Sequence, residues 1–352
     1  MTVSNRLIRG RGAVENPTGR FERLQIAYDP AISSDESVPK TQFIKGGSRS
    51  IIAHNSSPDI GFDASVNPYR GCEHGCIYCY ARPTHEYFGF SSGLDFETKI
   101  LVKEDAPQLL EKELASPAWK PQVVAISGVT DPYQPVERKL KITRGCLEVF
   151  LKFRNPVAIV TKNYLITRDI DILKEMARWN TVRVFISITT LDNKLVTKME
   201  PRTSTPTRRL EAIEKLTSAG IPTGVMVAPI IPALTDHELI PIISSAANAG
   251  ARFAAYIVLR LPHSVKLLFE KWLDVNYSNK KEKVLNRIRS IRDGKLNDSN
   301  FYRRKSGEGI FAEQIARTFE IACRQTGVNK EKTRLTTENF QRPGDKQLNI
   351  DF

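Results

Sequence analysis

No stretch of this 352-residue sequence approaches the roughly 20 apolar residues that a bilayer crossing needs, so no membrane-spanning helix and no membrane partner is expected. The opening run MTVSNRLIRGRGAVENPTGRFERL has no apolar core of the secretory type, and the expected compartment is the cytoplasm. Cysteine is scarce: five in all, an odd number that does not suit a disulfide framework where thiols are kept reduced. Three of them, Cys72, Cys76 and Cys79, fall within eight residues, while Cys146 and Cys323 stand alone. Such a cluster reads as metal binding or redox chemistry.

Acidic charge is the minority, 39 Asp+Glu against 52 Lys+Arg, for a formal net of +13. The imbalance is concentrated late: residues 260–352 hold 20 Lys/Arg and 12 Asp/Glu. A basic final third is compatible with DNA or RNA as a partner. Lys280, Lys281, Lys283, Arg287, Arg289, Arg292, Arg303, Arg304 and Lys305 are candidate phosphate contacts, with Phe301 and Tyr302 available for stacking. A solvated helix face accounts for the same run.

What is present in abundance is alternation. Residues 1–59 are polar and read as an N-terminal arm, with a short strand near Thr41–Ile44; the Arg9–Gly12 run is either a phosphate contact or part of a mobile tail. Residues 60–275 carry six β-branched runs: Ala64–Asn67, Gln122–Ser127, Val157–Thr161, Val182–Ile188, Thr223–Ala228 and Phe253–Leu259. Helical periodicity follows each. The clearest helix spans Pro206–Ala219, with Thr205 as N-cap and Gly220 beyond its end; another begins at Thr235, where Thr235 and Glu238 have capping-box spacing. Six strand–helix repeats in series predict an α/β fold of parallel strands with right-handed crossovers, as an open sheet or a complete or partial barrel. The site is then expected at the C-terminal strand ends. Residues 276–352 read as a basic, mostly helical C-terminal extension, with an amphipathic helix over Phe311–Gln325 and a loosely ordered tail from residue 329.

The cysteine spacing is C-x3-C-x2-C, just after the first expected strand. Three such thiolates can ligate three irons of a cubane and leave the fourth open to a cofactor. Gly71 and Gly75 let the backbone turn around a bulky core. Three other readings compete: a zinc site with His74 or His85 as fourth ligand, a Cys76–Cys79 redox pair, and buried structural cysteines.

The run Cys72-Glu-His-Gly-Cys76-Ile-Tyr78-Cys79 resembles the signature of the radical S-adenosylmethionine superfamily, with Tyr78 as its aromatic residue. The chain is most similar to the spore photoproduct lyase and DNA-repair-photolyase-like branch. That resemblance implies a partial (β/α)6 TIM-like barrel, a 4Fe–4S cluster on the three cysteines, and S-adenosyl-L-methionine chelated at the open iron. It also implies an electron donor, a reductase or a flavodoxin or ferredoxin. One-electron reduction of the cofactor then gives a 5′-deoxyadenosyl radical that abstracts hydrogen.

Matching strand-end motifs extend the resemblance. It implies cofactor contacts at Tyr78, at Gly128, Thr130 and Asp131 after the second strand, at Lys162 after the third, at Ser187 on the fourth, at Glu200 and Arg209, and at Ala228–Pro229 on the fifth. Tyr78 and Tyr80 match a tyrosine pair proposed in the lyases to relay a radical. One position departs: Val129 stands where those lyases carry a cysteine hydrogen donor, so their substrate does not follow. Cys146 is the alternative thiol, or a buried core residue. A lyase-like radical enzyme acting on nucleic acid is therefore expected, against radical modification of a peptide, tRNA or small molecule. From another class stand a zinc-containing nucleic-acid-binding module and an iron–sulfur protein that does not cleave the cofactor.

Overall fold

A computed structural model describes residues 8–22, 39–126, 128–331 and 334–343. Parts of the expected N-terminal arm, Ser127 of the second expected strand and part of the C-terminal tail lie outside the described residues.

Among the described residues ten strands follow in chain order: β1 (Gln42–Lys45), β2 (Ile52–His54), β3 (Ala64–Val66), β4 (Tyr69–Arg70), β5 (Lys99–Val102), β6 (Val124–Ile126), β7 (Val157–Thr161), β8 (Val182–Ser187), β9 (Thr223–Ile230) and β10 (Phe253–Val258). Seven make one sheet in the order β10-β9-β8-β7-β6-β3-β2. Its six strands from β3 to β10 pair in parallel, and β2 adds an antiparallel edge. This is the expected six-stranded partial barrel. Its strands are short and β-branched because both faces are covered, one by its own interior and one by helices. Val157, Ile159, Val182, Val184 and Ile186 are fully buried along β7 and β8.

The helix Pro206–Ser218 starts as the sequence predicts: the Thr205 hydroxyl accepts from the Arg208 amide at 3.4 Å, and Pro206 takes the first helical position. The Thr235–Glu238 capping box does not form. Thr235 instead accepts from the Ile231 amide at 2.9 Å, and Glu238 accepts from Thr190 Oγ1 and the Leu191 amide. That carboxylate ties the next crossover to the loop after β8, a use that spacing alone does not reveal.

A second, three-stranded sheet, β1-β5-β4, was expected only in β1. It pairs Tyr69 with Val102 and Arg70 with Leu101, pinning both ends of the excursion that carries the cysteines. The helices Val265–Tyr277 and Lys281–Ser290 pack Leu268, Phe269, Trp272, Leu285 and Ile288 against Cys76, Ile77 and Tyr78. The first of them runs across residue 275, where the sequence suggested a boundary. Beyond the helix Ile310–Thr326, the described residues up to 343 form no helix or strand, yet they are fastened across the N-terminal strand ends. The Thr336 amide donates to the Asn180 carbonyl, the Gln341 amide to the Phe153 carbonyl, and Asn329 bonds both backbone groups of Ala254. Among the described residues no helix is long and apolar enough to cross a membrane.

Candidate functional site

The cysteines sit on the loop between β4 and the 3-10 helix Arg82–Phe88. Gly71 and Gly75 adopt φ of +79° and +68°, and a Cβ at Gly75 would lie 2.8 Å from Glu97 Oε2, so glycine is required by both conformation and space. All three thiols are free; Cys72 and Cys76 are buried and Cys79 is half-buried. Burial pushes each above the ordinary cysteine value, so deprotonation must be driven by ligation itself.

The polar residues between them turn elsewhere. Glu73 accepts from the Val136 amide at 2.7 Å and pairs with Arg202 at 2.9 Å. His74 lies between Asp131, 3.4 Å from Nδ1, and Asn163, 3.1 Å from Nε2. His85 Nε2 faces the Lys99 carbonyl at 2.9 Å. His74 is thus engaged at both ring nitrogens and His85 at Nε2, and among the described residues no three His, Cys, Asp or Glu groups converge as a single-ion site. Three thiols without a fourth protein donor fit a cubane, in which each thiolate reaches a different iron and one iron is left for another ligand.

Above this loop the strand ends converge. Glu200, fully buried, pairs with Arg209 and accepts from Tyr78 Oη and, at 2.6 Å, from Thr189 Oγ1. Lys162, after β7, donates to Ser187 Oγ at 2.6 Å and to the Ala228 carbonyl at 2.8 Å, and lies 3.7 Å from Glu200. Arg209 also donates to the Ser187 carbonyl at 3.0 Å. Burial would raise the Glu200 carboxyl, but Arg209, Lys162 and the donated hydrogen bonds outweigh it and hold it at about 2. Tyr78, Lys162, Ser187, Glu200, Arg209 and Ala228 are thereby gathered at one place; Pro229 follows Ala228 through a cis peptide.

Thr130 and Asp131 serve the same loop from the end of β6. Thr130 Oγ1 donates to the Gly71 carbonyl at 2.6 Å. Asp131 accepts from Thr161 Oγ1 and the Lys162 amide, at 2.7 and 2.9 Å. Tyr80 is half-exposed and donates to the Gly128 carbonyl at 2.7 Å. Val129 packs against the small cluster of Cys72, Ala81 and Phe96. Cys146 is buried in the main core, within the helix Ile142–Phe153.

The N-terminal arm carries a contribution that the sequence did not disclose. Gly12 and Ala13 are buried, and their amides donate to the Glu97 carboxylate at 3.0 and 2.8 Å. Arg11 donates to the Glu97 carbonyl at 3.1 Å. Its neighbour Arg82, buried with Glu97, donates to the Cys76 carbonyl at 2.9 Å. Arg11 and Gly12 of the Arg9–Gly12 run are therefore, with Ala13, an inner wall of the cysteine loop, and Arg11 is neither part of a loose tail nor a phosphate contact, while Arg9 is exposed. Adjacent glycines and arginines in a polar segment are the ambiguous signal behind that misreading.

Two of the basic C-terminal residues expected to meet phosphate are instead engaged within the protein. Arg292 is buried and spent on backbone carbonyls, and Arg304 forms a two-point pair with Asp59. Neither is a free phosphate contact on a solvated face. Phe301 and Tyr302 are exposed, 48% and 68%.

A parallel partial barrel with three thiols at the mouth and a charged strand-end cluster behind them defines an enzyme of a particular kind. The chain belongs to the radical SAM superfamily, whose sequence profile matches residues 66–246, just over half its length. An uncharacterized protein of Mycobacterium tuberculosis is 38% identical over 216 residues, 61% of this chain and 64% of its own length. The chain thus spans less than two thirds of that relative. An uncharacterized protein of Methanocaldococcus jannaschii is 28% identical over 63% of this chain and 79% of its own. A radical SAM Nα-GlyT isomerase of Pseudomonas phage M6 is 24% identical over 49% of this chain and 34% of its own. In three dimensions, spore photoproduct lyase complexed with dinucleoside spore photoproduct is similar with a TM-score of 0.58 and 18% identity, over 81% of this chain and 79% of that one.

Proposed function

We propose that the protein holds a 4Fe–4S cluster on Cys72, Cys76 and Cys79, binds S-adenosylmethionine beside it, and uses the cofactor to abstract hydrogen from a substrate. The observation that carries this reading is the set of three free thiols, with no fourth protein donor among the described residues, placed under the Tyr78–Glu200–Lys162 junction. When bound, the reduced cluster would give one electron to the sulfonium, yielding methionine and a 5′-deoxyadenosyl radical.

The chain's own residues bind, orient and exclude water. Lys162 supplies an ammonium suited to the methionine carboxylate, held on the Ser187 hydroxyl and the Ala228 carbonyl. Glu200 and Arg209 fix the Tyr78 ring from behind. Thr130 and Asp131 hold the loop backbone and the β7 end in register, and Gly128 lines the same rim. The helices over Cys76–Tyr78 close the outer side of the loop. Tyr80, half-exposed and bonded to the Gly128 carbonyl, is the candidate for carrying a radical outward.

The reducing partner proposed with this reading is a reductase or an electron donor of the flavodoxin or ferredoxin type. A nucleic-acid substrate is supported by the fold likeness to a lyase solved with a dinucleoside, and by exposed Phe301 and Tyr302 beside Arg303. Anaerobic iron–sulfur reconstitution, reduction with S-adenosylmethionine and analysis for 5′-deoxyadenosine test the reading. Production of 5′-deoxyadenosine supports it; protein that takes up no iron, or that binds four-coordinate zinc through these sulfurs, overturns it.

A further inference from the structure

Arg260 follows directly on β10 and Leu259, at the mouth of the barrel. Its guanidinium carbon lies 5.4 Å from the centroid of the Tyr80 ring. Among the described residues it has no hydrogen bond and no ion pair, and its Nε is buried without a partner. A guanidinium has five donors and is costly to withdraw from water unpaired.

Its surroundings add positive charge. Arg292 donates to the Leu259 carbonyl at 2.9 Å and to the Arg303 carbonyl at 2.8 Å, clamping the residue before Arg260 to the residue before Arg304. Arg304 and Lys305 follow at once. Burial, and then the Arg304 charge, press Arg260 below the ordinary arginine value. The nearby carboxylate is Asp59, and it is already taken: Arg304 holds both of its oxygens and Lys305 holds its carbonyl. With the Arg292 charge facing Asp298, the three cations Arg260, Arg304 and Lys305 against Asp59 leave two positive charges beside the half-exposed Tyr80. A guanidinium stacked on a ring keeps its edge N–H groups free for two oxygens of one anion.

We propose that Arg260, flanked by Arg304 and Lys305, is the substrate's phosphate-binding subsite at the barrel mouth. Its assignment to substrate rests on the radical-enzyme reading, whereas phosphate binding itself does not. The two charges match the roughly −2 of a phosphate monoester or pyrophosphate oxygen group near neutral pH. The phosphate comes from a small phosphorylated molecule, or from a polynucleotide that presents a terminal phosphate or two successive diester phosphates of one charge each.

Calorimetric titration of inorganic pyrophosphate into anaerobically reconstituted protein tests the site, with R260Q and R260K alongside. R260Q is expected to bind about tenfold or more weakly, and R260K to fall between, since an ammonium cannot present a fork. A labelled single-stranded oligonucleotide run in parallel distinguishes the sources. Its displacement from wild type by pyrophosphate assigns the phosphate to a polynucleotide; pyrophosphate binding without oligonucleotide binding assigns it to a small molecule. The proposal is overturned if wild type binds neither probe, or if R260Q and R260K bind both as wild type does. Because the readout is binding, a protein that forms no 5′-deoxyadenosine fails the functional reading separately.

Discussion

Glu97 and Gly12 meet across 85 positions of sequence, the Gly12 amide donating to Glu97 Oε2 at 3.0 Å. The same carboxylate takes Ala13 and Arg82, and Arg82 holds the Cys76 carbonyl. The Arg11–Ala13 segment thus braces the loop that carries the thiols. A Cβ on Gly12 would run into the Gly75 carbonyl oxygen, which is rigid backbone. Gly12→Ala is expected to cost about 1–3 kcal/mol by overpacking and to loosen the loop. Reconstituted Gly12→Ala should retain less iron per chain than wild type, with a lower thermal midpoint. Wild-type iron content and midpoint would show that the arm does not brace the loop.

Glu200 and Arg209 make a fully buried pair that also holds Tyr78. Removing the guanidinium leaves a carboxylate with only Lys162 for charge compensation. Arg209→Leu should destabilise by about 3–5 kcal/mol, the usual consequence of breaking one side of a buried pair. Denaturant unfolding at neutral pH measures it, and a loss below about 1 kcal/mol would argue against a tightly coupled pair.

Ligand and positioning roles separate by iron content. Cys79→Ala should lose the cluster, seen as loss of iron and of visible absorption. Lys162→Ala removes no thiol, so it should keep its iron while 5′-deoxyadenosine formation falls by about tenfold or more, the effect of losing one charged contact. Normal iron and turnover in Cys79→Ala would sink the cluster assignment.

Much of this was legible in the chain and some was not. The parallel strands could be read because burial on both faces writes short β-branched runs, and the ends of β7 match the expected span, Val157–Thr161. The three thiols could be read because their spacing is local. The Glu97 brace could not, since its partners lie over 80 residues away and look like tail composition. Glu238 shows the converse: Thr235 and Glu238 have capping-box spacing, but a strand-end hydroxyl, Thr190, claims the carboxylate. Arg292 and Arg304 looked like solvated charge because sequence shows their number, not the carbonyls and carboxylate they face.

His85 offers a test by pH. It is buried among Phe88, Phe90 and Phe96, with Nδ1 lacking a partner, and burial pushes it down to about 4. The Lys99 carbonyl at Nε2 opposes that shift only in part. The unfolded chain protonates near the ordinary value of about 6.5, while the folded chain resists until about 4. Stability from the neutral ring is therefore complete above about pH 6.5 and is lost as pH falls toward 4, by up to about 3 kcal/mol. His85→Phe keeps a ring of similar shape and removes the titration, at a cost of about 1 kcal/mol for the unpaired Lys99 carbonyl. Unfolding free energies of the metal-free protein, taken at intervals from about pH 8 to about pH 4, should show a shallower decline in the variant. Parallel curves for the two proteins would mean that His85 is not a source of the acid sensitivity.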